Sequence, residues 1–564
     1  MTTLVRRPAH PASETLVAAG LPPVLARIYA SRGIASAAEL DHSLRALPAF
    51  ERMRGIDDAA SRLCKAIAHG ERIVIVADYD ADGATACAVG VRGLRAFGAD
   101  VDFIVPNRFE YGYGLTPEIV DLAARLAPRL IVTVDNGIAS VDGVRAAAAH
   151  GIDVLITDHH LPGPELPAPA IIVNPNQPGC DFASKHIAGV GVMFYVLLAT
   201  RAKLRAAGAF ASRPEPNLGR LLDLVALGTV ADVVRLDQTN RIFVDQGLAR
   251  IRAGASHAGV RALFAVAGRD AARATTYDLG FVAGPRLNAA GRLADMSIGI
   301  RCLLSDSDGE AMDLARQLDG LNRERREIES TMQDEALDDM GGVEVPDDQY
   351  TLCMFRPEWH QGVVGIVAAR LKDRFHRPAF VFARASTGEL RGSGRSIAGF
   401  HLRDALDAVT KRAPKAIVKF GGHAFAAGLT LREDALPAFR ESFETVAREL
   451  LTPALLARTL ESDGNLERGE LDIHLARLLR EHVWGQGLPA PTFDDTFDVL
   501  DTRIVGGQHT KLTLGRAGER FEAILFRHVD ALPVRLVAAF RPEVNAWQGT
   551  EGLQLTIEHW WPAP

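Results

Sequence analysis

Three aspartates stand at alternate positions directly after an apolar, β-branched run. The stretch IVIVADYDADGATA, residues 73–86, contains Asp78, Asp80 and Asp82. On extended backbone, residues at i, i+2 and i+4 point to the same side. Carboxylates held so close together repel one another, and a divalent cation is the natural compensation. The spacing therefore predicts a metal site here.

Two further apolar runs also end in an acid. RLIVTVD ends at Asp135, and DVLITDHH continues from Asp158 into His159 and His160. Oxygen ligands alone suit Mg²⁺ or Ca²⁺, whereas a mixed shell of aspartate and histidine suits Mn²⁺ as well. These residues extend the predicted metal site.

Two familiar aspartate motifs and a helix cap explain the first stretch less well than a metal site does. A calcium-binding EF-hand loop needs a helix before it and a glutamate at its twelfth position, but that position is Val89 and a strand precedes the loop. A phosphatase loop of the D-x-D-x-T type would need threonine where Ala84 stands. One aspartate could be the N-cap of a helix beginning near Gly83, but a cap does not account for three.

The elements that position these acids alternate between short β-branched runs and amphipathic segments of about a dozen residues. This alternation is typical of βαβ units with a parallel sheet covered on both faces. In such sheets the ligand binds beyond the carboxyl ends of the strands. We therefore expect the acids to converge on one crevice.

The rest of the chain predicts a long helix, a second α/β domain and a small β-barrel. Leu314, Leu321 and Ile328 recur every seven residues in an amphipathic helix over 307 to about 340, whose weak point is Gly320. The predicted fold is α/β, with two α/β domains joined by this helix and followed by the barrel. The predicted boundaries are an N-terminal segment 1–50, a first domain 51–306, the helix 307–344, a second domain 345–450 and the barrel 455–564.

Composition indicates a folded protein of a reducing compartment. Of 564 residues, 48% are hydrophobic and 24% charged, and the five cysteines form no CxxC pair. The N-terminus lacks an apolar signal region and no run is long enough to cross a bilayer, so we expect a cytoplasmic protein without membrane contact. The net charge is −7, but residues 384–419 hold eight Arg or Lys and three Asp or Glu, so this segment is a candidate site for a polyanion, with an ordinary solvated face as the alternative.

Several motifs together resemble one superfamily. DYDADG, VDNG, TDHH and GTVADVV stand in the order and spacing of the DHH phosphoesterases. Within that superfamily the chain is similar to the RecJ family of single-strand-specific 5′→3′ DNA exonucleases, through PNRFEYGYGLT, GPRLNAAGRLAD, WHQGVVGIVAARL, RGSGRSIAGFHLRDAL and FGGHAFAAG. The resemblance covers roughly residues 50 to 564 and implies a DHH domain, a DHHA1 domain and an oligonucleotide-binding (OB) barrel.

The resemblance also implies a metal centre with two divalent cations, Mn²⁺ or Mg²⁺. The implied ligands are Asp80, Asp82, Asp135, His159 and Asp232, with Asp135 bridging the two ions. Many relatives have a histidine where this chain has Val76, so Asp78 or water is left to complete one shell. Asp135, Asp158 and His160 are the predicted catalytic residues. His160 could donate a hydrogen bond or a proton to the scissile phosphate, or only support a neighbouring metal ligand, and Asp158 is expected to orient a neighbour.

Substrate contacts are expected from five parts of the chain. In RGSGRS, Gly392 and Gly394 are expected to bring backbone amides close to a phosphate, and the neighbouring side chains to bind it. GGHAFAAG follows the same logic, and Phe526 or Trp547 of the barrel could stack on bases. The predicted substrate-binding residues are Arg108, Tyr111, Arg286, Arg391, Ser393, Arg395, Gly421, Gly422 and His423. For Tyr111 and its neighbour Tyr113, packing in the core is an equal alternative.

The predicted activity is metal-dependent hydrolysis of single-stranded DNA from the 5′ end, releasing 5′-mononucleotides in repair and recombination. Two alternatives remain: a DHH phosphoesterase acting on short oligoribonucleotides or cyclic dinucleotides, and an inactive DNA-binding scaffold. The resemblance further implies cooperation with a single-strand-binding protein and a RecQ-type helicase. A monomer is the expected oligomeric state.

Overall fold

The computed structural model describes residues 2–107, 110–340, 345–346, 348–385, 388–547 and 550–563, with only the backbone at 547. The chain divides into two compact units. One comprises Met1–Val5 and Gly320–Leu460, and the other Arg6–Asp319 and Glu461–Pro564.

The chain begins with a strand and two short helices, and then builds a five-stranded sheet. The sheet has the order β3-β2-β4-β5-β6, and all of its neighbours are parallel. Every residue of β2 and β4 is buried, as expected when helices cover both faces. The parallel sheet predicted from the sequence is confirmed. The elements are β1 (Thr2–Arg6), α1 (Ala12–Ala18), α2 (Pro23–Ala30), α3 (Ile56–His69), β2 (Ile73–Ala77), α4 (Ala81–Phe97), β3 (Val101–Ile104), α5 (Pro117–Ala124), β4 (Leu130–Val134), α6 (Val141–Ala149), β5 (Asp153–Thr157) and β6 (Ile171–Val173).

A helical layer completes this first domain. α8 is apolar over nearly its whole length and lies buried beside α4 and α7. A six-residue π-helix, Asp278–Ala283, runs directly into α11. The helices are α7 (Gly189–Ala206), α8 (Leu222–Ala231), α9 (Gln238–Arg252), α10 (Ala258–Val266), α11 (Gly284–Leu293) and α12 (Ser297–Leu304).

The predicted long helix is confirmed as α13 (Asp308–Asp339), 32 residues without a break. Gly320 lies inside it and marks the boundary between the two compact units. A Cβ added at Gly320 would meet no described atom within 4 Å, so packing does not require glycine there. Within the described part of the chain, no helix combines the length and hydropathy needed to span a membrane.

The second α/β domain has a mixed sheet of order β10-β11-β9-β8-β7, in which only β7 and β8 are parallel. Its core includes two stacked phenylalanines of α16, Phe439 and Phe443, and Phe380 of the sheet packs edge-on against Phe443. The elements are β7 (Leu352–Phe355), α14 (Val364–Phe375), β8 (Ala379–Arg384), β9 (Leu390–Arg395), α15 (Leu402–Arg412), β10 (Lys419–Gly422), β11 (Ala426–Leu431), α16 (Leu436–Leu450) and α17 (Pro453–Leu456).

The RGSGRS segment is strand β9, not a phosphate-binding loop, which corrects the expectation for Gly392 and Gly394. β9 is hydrogen-bonded on both sides, to β8 and β11, so its amides are used within the sheet. A Cβ at Gly392 or Gly394 would lie 2.4 Å from the ring of Phe382 or Phe380. These glycines therefore make room for aromatic rings, while Arg391, Ser393 and Arg395 alternate onto the other face.

The predicted barrel is also confirmed. Five strands close in the order β13-β14-β15-β17-β16, and a shorter strand, β12, pairs with β1. The elements are β12 (Arg458–Ser462), α18 (Ile473–Glu481), β13 (Phe493–Val505), β14 (His509–Arg516), β15 (Glu519–Leu525), β16 (Arg535–Trp547) and β17 (Thr550–Pro562).

The N-terminal segment is tied to the residues that lead into the barrel. Arg32 forms a buried ion pair with Asp463 at 2.6 Å. The ring of Tyr29 stacks on Trp484, and its hydroxyl lies 2.7 Å from Nδ1 of His482. Removing one partner of a buried ion pair is strongly destabilising, so this contact holds the segment in place.

Gly394→Ala is expected to lower the stability of β8 and β9 by about 1–3 kcal/mol, because the added methyl group overpacks Phe380. Hydrogen–deuterium exchange of peptides from these strands would measure the loss. Gly421→Ala is the matched control, since a Cβ there meets nothing within 4 Å among the described atoms. Equal protection in the two variants would contradict the packing role of Gly394.

Candidate metal centre

Three neighbouring strands deliver acids to one edge of the parallel sheet. β2, β4 and β5 are adjacent and parallel. Asp78 and Asp135 directly follow β2 and β4, and Asp158 directly follows β5. All three are buried at 6% exposure or less, so their carboxylates lie at one edge of the sheet with little water.

The first motif does not have the extended geometry assumed from its spacing. β2 ends at Ala77, and α4 begins at Ala81. Asp80 is the N-cap of that helix, since its Oδ1 accepts a hydrogen bond of 3.0 Å from the amide of Gly83. Asp82 lies in the first turn. The tight change from strand to helix, rather than an extended strand, therefore brings the carboxylates together.

Asp82 points at the start of another helix. Its oxygens accept hydrogen bonds from the amides of Gly189 and Val190, at 2.6 and 2.9 Å. These amides open α7, where the helix dipole also favours a negative charge. A Cβ at Gly189 would lie 2.7 Å from the side chain of Asp135. Glycine at this position therefore lets α7 approach both carboxylates.

His159 joins the acids from β4 and α8. Its Nε2 lies 3.1 Å from Oδ1 of Asp135 and 3.5 Å from Oδ2 of Asp232. Among the described residues, neither this Nε2 nor this Oδ1 has a hydrogen-bond partner, although both are buried. Two buried polar atoms left unsatisfied and facing each other fit a bound cation that both coordinate.

Three groups of possible ligand atoms each lie within 4.8 Å of one another. Asp135 belongs to two groups and His159 to two, so the groups overlap as a two-ion centre would require. The groups are Asp135, His159 and His160; Asp82, His159 and Asp232; and Asp78, Asp80 and Asp135. The donor set of carboxylate oxygens and imidazole nitrogens fits Mn²⁺ or Mg²⁺.

Burial and mutual repulsion favour the protonated form of several carboxyls. Burial, together with the charge of Asp232, raises the pKa of Asp82 to about 7. Burial and the charge of Asp80 raise the pKa of Asp232 to about 8. The pKa of Asp135 is raised well above its ordinary value, by burial and then by Asp82. A divalent cation would remove this penalty by offsetting the negative charges.

His160 forms a separate network beside the cluster. Its Nδ1 lies 2.8 Å from Oδ1 of Asp158, whose carboxylate also accepts the amides of Ile138, His159 and His160. Burial alone would lower the pKa of His160, but the hydrogen bond and charge of Asp158 raise it to about 9. The hydroxyl of Tyr113 donates to the carbonyl of Asp135 and lies 3.2 Å from Nδ1 of His160. Asp158 therefore holds the backbone of residues 159 and 160 in place and favours the protonated form of the His160 ring.

Two predicted substrate residues of the first domain lie away from this cluster or are already paired. Tyr111 packs against the apolar core between the sheet and its helices. Arg286 is 7% exposed, and its guanidinium binds Asp319 at 2.8 Å and the carbonyl of Val282. Arg108 lies outside the described residues. Their roles in substrate binding stay predictions.

The remaining predicted substrate residues lie in the second domain. Arg395 is largely buried, and burial lowers its pKa; no carboxylate among the described residues pairs with it. Its NH1 donates to Oγ of Ser393 at 3.1 Å. A Cβ at Gly365, in the first turn of α14, would lie 2.9 Å from that Oγ and 3.2 Å from NH2 of Arg395. Arg395 and Ser393 thus lie against the N-terminus of α14.

The hairpin of β10 and β11 carries the last predicted group. Gly421 and His423 are exposed. Gly422 has φ +145°, and a Cβ there would lie 2.5 Å from the carbonyl oxygen of Ala426, so the turn requires glycine. In the barrel, Phe526 is 53% exposed and contacts the ring of His509, and the side chain of Trp547 lies outside the described part of the chain.

Sequence reasoning missed two contributors to the site. The hydroxyl of Tyr113 contacts Asp135 of the candidate metal site, whereas Tyr111 packs in the core. The two tyrosines are only two positions apart, in the stretch YGY. Gly228 in GTVADVV allows α8 to approach Asp82, since a Cβ there would lie 2.9 Å from its Oδ1. Neither position has a sequence signal that distinguishes it from a core tyrosine or an ordinary helical glycine.

Comparison with known proteins agrees with this geometry. Three family models match: the DHH family N-terminal domain at residues 72–229, the DHHA1 domain at 347–449 and the RecJ OB domain at 462–559. The single-stranded-DNA-specific exonuclease RecJ of Dickeya dadantii is 51% identical, over 100% of this chain and 99% of that protein. The protein of the same name from Escherichia coli is 49% identical over 96% of each chain.

Solved structures show the same fold. The crystal structure of RecJ from Thermus thermophilus with Mn²⁺ superposes with a TM-score of 0.84 at 31% identity, covering 100% of this chain and 80% of that one. The structure of the same protein with Mg²⁺ gives 0.79 at 29% identity, covering 100% and 79%. At this identity and coverage, the chain belongs to the RecJ family of single-stranded-DNA-specific exonucleases.

Proposed function

We propose that the chain hydrolyses single-stranded DNA from the 5′ end and releases 5′-mononucleotides, in DNA repair and recombination. The observation that carries the proposal is the overlap of three ligand groups at Asp135 and His159 in a buried site. Relatives that share almost the whole chain are named single-stranded-DNA-specific exonucleases.

Two divalent cations, Mn²⁺ or Mg²⁺, are proposed as the cofactors, because both occur with the related Thermus protein. Asp80, Asp82, Asp135, His159 and Asp232 would hold them, with Asp135 shared and Asp78 close enough to complete one shell. Bound in this way, divalent ions lower the pKa of water and neutralise charge on a phosphodiester.

Around such a centre, the protein groups would orient the substrate. The ring of His160 is held by Asp158, so in its protonated form it can donate a hydrogen bond to a phosphate oxygen or protonate the leaving oxygen. Asp158 acts through His160 and is a positioning residue. Tyr113, 48% exposed beside His160, is placed to contact the nucleotide next to the scissile phosphate.

The second domain is proposed to bind the DNA backbone. An arginine that is buried without a carboxylate is costly, and a phosphate would remove that cost. Arg395 is partly buried without a carboxylate partner among the described residues, and it lies with Ser393 at a helix N-terminus, where backbone amides and the helix dipole favour anions. Arg391 on the same strand face, with Gly421, Gly422 and His423 on the hairpin, would extend the contact.

Partners are proposed from the nature of the substrate. An enzyme limited to single strands needs a source of unwound DNA, which a RecQ-type helicase would supply and a single-strand-binding protein would coat. We infer that the enzyme acts as a monomer in the cytoplasm. The remaining substrate roles proposed are those of Arg108, Tyr111 and Arg286.

Without divalent metal, stability is expected to fall as pH rises from about 4 to about 8. The folded protein holds protons on Asp82 and Asp232, whose pKa values of about 7 and about 8 exceed their ordinary value, whereas the unfolded chain has lost them. Each group contributes at most about 1.4 kcal/mol per pH unit in this range. Thermal unfolding in EDTA should show the decline, and Mn²⁺ should reverse it at pH 8. Asp82→Asn should flatten the profile; an unchanged profile would contradict the assignment.

Asp135→Asn is expected to lower hydrolysis of a 3′-labelled single strand with Mn²⁺ by more than about 100-fold, since even residues that only support a metal ligand can cost that much. The wild type should shorten the strand stepwise from its 5′ end and leave blunt duplex intact. Asp142→Asn, an exposed acid on α6 with an 80% exposed side chain, is the control. Binding without cutting by the wild type would favour a scaffold, and activity only on short oligoribonucleotides or cyclic dinucleotides would favour another DHH phosphoesterase.

Arg395→Gln is expected to weaken binding of single strands about 10- to 100-fold, the range of one charged hydrogen bond. Without DNA, the variant should be as stable as the wild type or more stable, because the change removes a charge that has no carboxylate partner. Arg384→Gln, which breaks an exposed pair with Glu433, controls for the loss of charge. Fluorescence anisotropy and urea unfolding would give the two values; a loss of stability without a loss of affinity would indicate a structural arginine.

A further inference from the structure

One helix of the first domain contacts the backbone on both sides of Asp80. Oδ1 of Asn288, on α11, accepts a hydrogen bond of 2.8 Å from the amide of Ala81. A Cβ at Gly291, three residues further along α11, would lie 1.8 Å from the carbonyl oxygen of Tyr79. Because that oxygen belongs to the backbone, no side-chain movement would relieve the clash. Asp80 is therefore held between two points of close contact with α11.

The hydrogen bond to Asn288 supplies an acceptor that α4 itself lacks. Ala81 is the first residue of α4, and the first amides of a helix have no acceptor within it. The side chain of Asp80 accepts from the amide of Gly83, further into the first turn. Asn288 accepts from Ala81, so it fixes the tight turn between β2 and α4 from outside.

The acids beside Asp80 tend to push it out of the cluster. One of its carboxylate oxygens lies within 4.8 Å of an oxygen of Asp78 and of an oxygen of Asp135. Like charges at this distance repel each other, and Asp80 is only partly buried, so an unsupported carboxylate would turn towards water. A fixed backbone at residues 79–81 opposes this movement.

The other acid of the same motif is held independently. Asp82 belongs to a different group of possible ligands, with His159 and Asp232. It accepts hydrogen bonds of 2.6 and 2.9 Å from two amides at the start of α7, and Asn288 takes no part in them. Loss of Asn288 would therefore affect the two groups unequally.

We propose that Asn288 is a positioning residue for Asp80. By holding the turn, it sets the affinity for one of the two divalent ions, the one bound by the group of Asp78, Asp80 and Asp135. The inference rests on the proposed function and assigns a support to one half of its metal centre. Asn288 acts through the backbone and is not itself a ligand. A residue that only supports a metal ligand typically contributes about 10- to 100-fold to metal affinity.

The test compares the full chain with three variants. Asn288→Ala removes the acceptor, whereas Asn288→Asp keeps an acceptor oxygen at the same position. Asn217→Ala is the matched control, since Oδ1 of Asn217 also accepts a backbone amide, that of Gly219 at 3.0 Å. Asn217 is exposed and precedes α8, at the end of that helix opposite to Asp232. Thermal unfolding in EDTA confirms that each variant folds.

The first readout requires neither metal nor substrate. Hydrogen–deuterium exchange in EDTA, followed on peptides that cover residues 78–84, reports how firmly the turn is held. Asn288→Ala should exchange faster than the wild type in this segment, because the amide of Ala81 loses its acceptor. Asn288→Asp and Asn217→Ala should exchange as the wild type does.

The second readout is the binding of Mn²⁺ without DNA, measured by electron paramagnetic resonance of the free ion. The wild type should bind two ions. Asn288→Ala should bind one of them about 10- to 100-fold more weakly and the other unchanged. Asn217→Ala should resemble the wild type, and Asn288→Asp should bind both ions at least as tightly, because its added charge attracts cations.

The third readout is hydrolysis of a 3′-labelled single strand over a range of Mn²⁺ concentrations. Asn288→Ala should need about 10- to 100-fold more Mn²⁺ for half-maximal activity, and its kcat should return to the wild-type value at saturating Mn²⁺. A residue that contacts the substrate would lower kcat or raise KM at every concentration of the ion.

Equal weakening of both ions in Asn288→Ala, or of neither, would overturn the inference. A similar loss in Asn217→Ala or Asn288→Asp would also overturn it, because the acceptor oxygen would then not be the cause. A wild type that binds fewer than two ions but hydrolyses single strands would overturn the inference and leave the exonuclease assignment intact. If Asn288→Ala loses one of two ions but the wild type hydrolyses no strand, the proposed function fails and the role of Asn288 stands.

Discussion

Repulsion among buried carboxylates is the constraint on which the structure depends. A parallel sheet brings the ends of its strands to one edge, and here those ends carry Asp78, Asp135 and Asp158. Burial of the carboxyls of Asp82, Asp135 and Asp232 raises their pKa values, and the charges of neighbouring acids raise them further. Metal binding then becomes favourable because it relieves this repulsion.

The surrounding helices hold the acids in place despite their repulsion. The amides of α7 bind Asp82, and glycines at 189 and 228 let α7 and α8 come close enough to enclose the cluster. Asn288 of α11 accepts a hydrogen bond from the amide of Ala81, the residue after Asp80. The site is therefore assembled by backbone groups from several segments, so its support is distributed through the first domain.

Sequence reasoning predicted the parallel sheet, the long helix, the barrel and the membership of the RecJ family, and these are confirmed. They follow from periodicity and motif order, which are local properties of the chain. Sequence reasoning allowed an N-cap role for one of the three aspartates but did not identify it as Asp80, since a cap and an extended strand can have the same residue spacing. It assigned Gly392 and Gly394 to phosphate binding, because the rings that fill their space come from β8, a different strand. The assignment of metal ligands and substrate contacts stays a prediction.

The backbone of Asp135 adds one more cost to the site. Its φ of +63° lies in the left-handed region, which glycine or asparagine adopts at a lower energetic cost. Glycine at this position would relieve both the backbone strain and the charge repulsion. Thermodynamic stability of the metal-free protein and the role proposed for Asp135 as a shared metal ligand therefore favour different residues at this position.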